Sequence, residues 1–227
     1  MKRFLAGLAL LALCGSPAIA QKTPAFAVAG PDLPRQAITD YSRWSTAALN
    51  AELAKKAIIQ QKLLMPMRDG VHLSTDIYRP KAGGAVPVIF IRTPYNMNVP
   101  GDRDLRMINE GIDRGYAFVF QNERGRYFSE GKWEILGHPR SDGYDALTWI
   151  SDQSWSNHKV GTYGCSSTAE WQLQLAAMHH PAHAAMIPQS AGAGIGRVGP
   201  FYEQGNWYRG GVPRILFGVW LYGVDNP

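Results

Sequence analysis

The sequence predicts a three-layer α/β fold, and three observations carry that prediction. Val88-Ile89-Phe90-Ile91 and Tyr116-Ala117-Phe118-Val119-Phe120 are continuous apolar runs of strand length, helical segments alternate with them, and the composition is 45% hydrophobic and 18% charged over 227 residues. A run that is apolar at every position belongs to a strand buried on both faces, an environment that a parallel sheet covered by helices provides. Alternating strand and helix signals are the pattern of βαβ units. The 24 Gly and 15 Pro are scattered along the chain, which excludes collagen, coiled coil and disorder.

Taken in order, the first twenty residues carry Lys2 and Arg3, an apolar stretch over 4–14, and Ala18-Ile19-Ala20 before Gln21. These are the n-region, h-region and A-x-A site of a secretory signal peptide. The mature chain is expected to begin at Gln21, in the bacterial periplasm or outside the cell. The apolar stretch is about half of the roughly 20 residues a spanning helix needs, and no later segment reaches that length, so no membrane span is expected. Leu11-Ala12-Leu13-Cys14 admits a lipid-modification reading, which bulky Leu13 fits poorly. Removal of Cys14 leaves Cys165 as the single cysteine, so no intramolecular disulfide is available.

Residues 21–60 read as a Pro- and Ala-rich extended arm followed by a helix, capped at Thr39-Asp40 and running to about Gln60. The runs 62–67 and 71–78 flank Arg68-Asp69-Gly70, and Asp-Gly between two apolar runs signals an antiparallel hairpin. After a turn over 80–87, strands are expected at 88–91, 116–120, 160–163 and 184–188. Helices are expected at 104–114, 141–152 (with Tyr144, Leu147, Trp149 and Ile150 on apolar positions) and 167–179. Residues 61–200 thus form the α/β body, and 201–227 a separate segment rich in aromatics and glycine.

Basic residues number 23 against 18 acidic, a net charge of +5. Without Lys2 and Arg3 the balance is 21 against 18, or +3. No run of adjacent Lys and Arg forms the stripe that a phosphate backbone requires, so nucleic acid is not expected as a partner.

The segment with the most chemistry in it is Val160-Gly161-Thr162-Tyr163-Gly164-Cys165-Ser166-Ser167-Thr168-Ala169-Glu170, where a strand passes through a tight turn directly into a helix. A nucleophile elbow needs a small residue two before its serine and another three after it, positions held by Gly164 and Ala169. Thr168 stands where the strict G-x-S-x-G has its last glycine. By residues alone Ser166 also reads as a helix N-cap, and Cys165 as a buried, inert thiol pointing away from the cleft.

Further motifs accompany the elbow in a fixed order: Met65-Pro66-Met67-Arg68-Asp69-Gly70-Val71, Ile91-Arg92-Thr93-Pro94-Tyr95-Asn96, Asn122-Glu123-Arg124-Gly125-Arg126, Ser129-Glu130-Gly131, Asp142-Gly143-Tyr144-Asp145 and Trp155-Ser156-Asn157. Together, over residues 62–188, they resemble the cocaine esterase / X-prolyl dipeptidyl peptidase (CocE/NonD, S15-type) family of serine hydrolases. That resemblance implies an α/β-hydrolase domain with a helical cap inserted in it and a C-terminal jelly roll. The 227 residues have room for the first part of that domain and the start of the cap, at 201–227, and are expected to be the N-terminal part of a longer enzyme.

The resemblance assigns roles residue by residue. Ser166 matches the nucleophile, which forms an acyl-enzyme that water hydrolyses. Tyr95 matches the tyrosine whose hydroxyl is half of the oxyanion hole, and the backbone N–H of Ser167 the other half; by residues alone Tyr95 also reads as a tyrosine buried at a strand end. Arg124 and Arg126 are expected to brace the loops beside the elbow. The implied partner is a small-molecule ester or amide, or a short peptide yielding dipeptidyl groups, with no cofactor.

A triad in this fold runs serine, then acid, then histidine. After Ser166 the acids are Glu170, Glu203 and Asp225, and the histidines are His179, His180 and His183. At about 1.5 Å of rise per residue His179 lies roughly 20 Å from Ser166 at the far end of the helix, so none of these serves as its base. This leaves a second expectation open, a catalytically silent chain acting as a binding module. His179-His180-x-x-His183 lacks the glutamate and the spacing of a zinc helix and reads as a surface cluster, so no metal is expected. Phe201, Trp207, Tyr208, Phe217, Trp220 and Tyr222 read either as the start of a cap lining an acyl pocket, with Trp207 and Tyr208 as its substrate-binding candidates, or as a segment packed on another domain. The strands at 160–163 and 184–188 are those expected to lie bare at the sheet edge.

Overall fold

The computed structural model describes residues 39–191, 195–198, 201–204, 208–209 and 212–225. The leader and arm over 1–38, including Cys14 and the cleavage site, and Trp207 lie outside the described residues.

The first helix, α1 (Thr46–Lys56), is capped by Ser45, whose hydroxyl accepts from the Ala48 N–H at 3.3 Å. Thr39-Asp40 does not cap it. Asp40 instead accepts from the Ser42 N–H at 2.9 Å in the preceding turn, a local side-chain to backbone bond that competes with helix. The helix also stops four residues short of Gln60, because Ala57-Ile58-Ile59 open a strand where β-branched side chains are better accommodated.

That strand, β1 (Ala57–Pro66), pairs antiparallel with β2 (His72–Pro80). The hairpin closes as the sequence indicated: Met67 N–H donates to Val71 O at 2.8 Å, Gly70 N–H donates to Met67 O at 3.0 Å, and Gly70 takes φ +84°. A bulge between Gln60 and Leu63 holds Lys62 at φ +56°, where its N–H donates to Asp76 Oδ1 at 2.8 Å and its ammonium pairs with the same carboxylate at 3.0 Å.

The parallel part follows as β3 (Val86–Thr93), α2 (Asp102–Asp113), β4 (Ala117–Asn122), α3 (Asp142–Ser151), β5 (Ser156–Cys165), α4 (Ser167–Ala176) and β6 (His183–Gln189). The sheet order is β1-β2-β4-β3-β5-β6, with β2 antiparallel to β4 and the last three pairings parallel. The strand expected at 160–163 is therefore interior, flanked by β3 and β6. Of the two strands expected to lie bare, β6 alone is at an edge of this sheet, with Met186 and Ile187 exposed, and β1 forms the opposite edge. Beyond it, β7 (Ile195–Val198) pairs with β8 (Phe201–Gln204), and β9 (Tyr208–Arg209) with β10 (Val212–Pro213), before α5 (Ile215–Asp225).

Alternate side chains of the apolar strands go to opposite faces of the sheet, and this explains why the runs are apolar throughout. Val88, Phe90 and Val119 join Leu147, Ile150, Trp171 and Leu175 on the face covered by α3 and α4. Ile91, Phe118 and Phe120 join Leu49, Leu53, Leu105 and Ile108 on the face covered by α1 and α2. Phe90 meets Trp171 edge-on, ring centres 5.4 Å apart, a geometry worth about 0.5–1.5 kcal/mol beyond the area it buries. The architecture is thus an α/β sheet with helices on both faces. β3, β4 and β5 end together at Thr93, Asn122 and Cys165, and the crevice beyond the carboxyl ends of such strands is where α/β sheets carry their sites.

Candidate active site

Ser166 joins β5 to α4 with φ 58° and ψ −129°. A non-glycine residue held there stores about 1–3 kcal/mol of strain, which the surrounding structure must hold in place. Three backbone bonds do so: Ser166 N–H donates to Gln189 O on β6 at 3.0 Å, and Ser166 O accepts from Ala169 N–H at 2.8 Å and Glu170 N–H at 3.1 Å. Ser166 thus stands at the N-cap position of α4, but its hydroxyl makes no capping bond and the residue is exposed.

The departure from G-x-S-x-G has a local explanation. A β-carbon on Gly164 would stand 2.6 Å from the Thr168 carbonyl carbon and 2.7 Å from Thr168 Cγ2. The first glycine is therefore required by the chain that crosses it. Thr168 is itself buried, with Oγ1 3.2 Å from Thr93 Oγ1 on β3, so a threonine at the last position of the motif locks the elbow to the neighbouring strand. Ala169 is fully buried where the helix passes the sheet. Ser167 is the first residue of α4, where a backbone N–H has no intrahelical acceptor and the helix dipole favours negative charge.

Tyr95 follows β3 in a turn fixed from three directions. Its N–H donates to Thr93 Oγ1 at 3.2 Å, its carbonyl accepts from Asn122 Nδ2 at 2.7 Å, and the preceding Pro94 carbonyl accepts from Arg126 Nε at 3.1 Å. The phenol is about a third exposed, at 36%, rather than a core tyrosine. Burial of its hydroxyl pushes its pKa up, with the Trp220 indole N–H, 3.0 Å from the phenolic oxygen, acting in the opposite direction. Ser166, Ser167, Glu170, Phe217 and Trp220 line a cavity of about 220 Å³. Tyr95, Met97, Met107, Gly164 and Cys165 line a second, of about 320 Å³. Cys165 is exposed at the rim of the sheet, not buried. As the last residue of β5 it pairs with Gln189 of β6, while the β3 pairing has already ended at Thr162, so no strand covers it on that side.

Beneath these turns lies a buried charge network that the sequence did not reveal as one. Arg92, fully buried, bonds the Gly137 carbonyl and lies 3.2 Å from Asp142 Oδ2. Arg124 donates to the same carboxylate at 2.7 and 3.1 Å and to Asp69 at 2.8 Å. Hydrogen bonding to Asp142, before any other cause, holds the Arg124 pKa above its usual value. Glu123, also buried, accepts from Trp133 Nε1 at 3.1 Å, and burial pushes its carboxyl pKa up. Arg124 and Arg126 thus brace the loops, and neither lines the two cavities described above.

The histidines' bonds lie away from Ser166. His183 pairs with Val160 while Gln189 pairs with Cys165, so at about 3.3 Å per residue His183 lies nearly 20 Å down the sheet from the elbow. Its Nε2 is 3.0 Å from Thr162 Oγ1, and His180 Nε2 is 3.0 Å from Thr148 Oγ1. Burial pushes both imidazoles down. His180 is buried and His183 half-buried, so only His179 fits the expected surface cluster. Among the described residues no group of three His, Cys, Asp or Glu side chains is arranged to hold a metal ion, and no helix is long and apolar enough to cross a membrane. Tyr208 is described only as strand β9.

The sequence profile of the X-Pro dipeptidyl-peptidase (S15) family matches residues 69–224. A cocaine esterase from Rhodococcus sp. (strain MB1 Bresler) is 36% identical over 149 residues, covering 65% of this chain and 26% of that protein. The structure of an α-amino acid ester hydrolase superposes with a TM-score of 0.57 at 28% identity, over 68% of this chain and 28% of the other. That of a CocE/NonD family hydrolase from Staphylococcus aureus superposes with a TM-score of 0.64 at 25% identity, over 75% and 34%. The chain thus spans about a quarter to a third of the length of these relatives.

Proposed function

The chain belongs to the X-Pro dipeptidyl-peptidase (S15) family of hydrolases, and on that premise we propose that it carries the nucleophile and oxyanion hole of an exported serine hydrolase acting on esters or amides of small acyl groups, or on dipeptidyl groups. The observation that carries the reading is the Ser166 backbone, strained at φ 58° between β5 and α4, with a hydroxyl that is not used as a cap. Export is supported by the leader pattern over residues 1–20.

In this reading Ser166 Oγ adds to the substrate carbonyl carbon while its proton passes to a general base. The carbonyl oxygen becomes an oxyanion that accepts from the Tyr95 hydroxyl and the Ser167 N–H. Collapse of the tetrahedral intermediate expels the alcohol or amine and leaves the acyl group on Oγ, and water then hydrolyses that ester. Tyr95 suits its part because its raised pKa keeps the phenol protonated, hence a donor, at neutral pH. His180 and His183, held far down the sheet by Thr148 and Thr162, are not placed to act as that base.

The same placement of the histidines favours one alternative, a binding module without catalysis. Hydrolysis of a chromogenic short-chain ester by the full-length protein decides between them. Turnover that Ser166→Ala abolishes is expected; turnover indifferent to that change refutes the nucleophile, and none at all in the wild type supports the alternative.

A further inference from the structure

We propose that Trp220 is a positioning residue for Tyr95, holding its hydroxyl so that the phenolic proton is directed away from the indole and toward the oxyanion. The proposal rests on the oxyanion role of Tyr95 given above. Indole nitrogen is a donor only, so in the 3.0 Å bond between Trp220 Nε1 and the Tyr95 hydroxyl the phenolic oxygen accepts. The hydroxyl's own proton must then seek a different acceptor. A hydroxyl that accepts one hydrogen bond is polarised into a better donor of the next.

The backbone of Tyr95 is already fixed by Thr93, Asn122 and, through Pro94, Arg126. These bonds do not reach the side chain, whose hydroxyl Trp220 engages. The indole is in turn held by stacking on Phe217 one turn earlier in α5, ring centres 5.3 Å apart and planes 24° from parallel. Trp220 lines the cavity that contains Ser166 and Ser167, whereas Tyr95 lines the neighbouring one. The bond therefore crosses between the two, tying α5 to the turn after β3. Its effect on the phenol has a definite sign: the indole N–H lowers the Tyr95 pKa that burial raises.

Two readouts test this in the full-length protein. With tyrosine labelled by ¹³C at Cζ, the Tyr95 resonance is identified by its loss in Tyr95→Phe, and Trp220→Phe is expected to move its titration to higher pH; an unmoved titration overturns the proposal. The second readout is the rate at which a fluorophosphonate modifies Ser166. Tyr95→Phe is expected to slow it by about 10²- to 10³-fold, and Trp220→Phe by about tenfold, the worth of one hydrogen bond in a rate. The double variant is expected to be no slower than Tyr95→Phe alone, because Trp220 acts through that hydroxyl; losses that multiply would assign Trp220 to substrate contact and overturn the proposal. Because Trp220 is only half-buried, its replacement leaves the core intact. If Ser166 fails to react even in the wild type, the hydrolase reading fails, and the Tyr95 titration still decides whether Trp220 holds the phenol.

Discussion

A β-carbon placed on Gly164 would stand 2.6 Å from the carbonyl carbon of Thr168. The obstacle is backbone, fixed by the first turn of α4 and by the Thr168 to Thr93 hydroxyl contact, so it cannot swing aside as a side chain would. The elbow thus depends on this glycine for space.

Gly164→Ala is accordingly expected to cost about 3 kcal/mol and lower Tm by about 6–12 °C, as overpacking in a domain of this size does. Gly161→Ala, three residues earlier on the same strand, is the control. There the nearest atom to a new β-carbon is 3.9 Å away, an ordinary contact, and the melting curve is expected to stay within a few degrees of wild type. Equal losses at the two positions would show that β5 resists any added methyl and that the elbow is not special.

The elements that were legible in the sequence are those whose signal is local. Val88 to Ile91 and Ala117 to Phe120 had to be apolar at every position because each faces two helical layers, and Gly164 and Ala169 mark the elbow by size alone. Features that depend on distant partners were not legible. Arg92 and Asp142 are 50 positions apart, and nothing in either neighbourhood distinguishes them from surface charges. Trp220 stood out only as one aromatic among several, since its partner Tyr95 lies 125 positions away. Thr39-Asp40 and Ser45 are equally good caps by residue type, and only the packing of Leu49 and Leu53 beneath α1 selects the second. The exposure of Cys165 was not legible because it lies beyond the point where β5 stops pairing with β3, at Thr162, and that limit is set by a distant strand.

Asp142 neutralises two guanidinium groups, one of them without solvent exposure. Removing one member of a buried ionic group leaves the others uncompensated, a loss of about 3–5 kcal/mol. Asp142→Asn, nearly isosteric, is expected to lower unfolding stability by that amount in chemical denaturation. A change below about 1 kcal/mol would mean that Glu123 beside Arg92 and Asp69 on Arg124 suffice to balance the two guanidinium groups.

His180 and His183 have folded-state pKa values depressed by burial. The unfolded chain therefore takes up their protons first as pH falls through about 6.5, so stability is expected to decline on acidification from pH 7.5 toward 5.5, until the folded-state values are passed. Melting curves across that range are expected to show the decline in wild type and a shallower one in His183→Gln, which cannot titrate there. A slope unchanged by that replacement would remove His183 from the pH response.

The most direct test of the central claim is the site of covalent capture. Full-length protein treated with a fluorophosphonate and digested for peptide mass spectrometry is expected to carry the adduct on Ser166, at the apex of the elbow. An adduct on the exposed Cys165 next to it, or none on protein that still hydrolyses ester, would contradict the assignment of Ser166 as nucleophile.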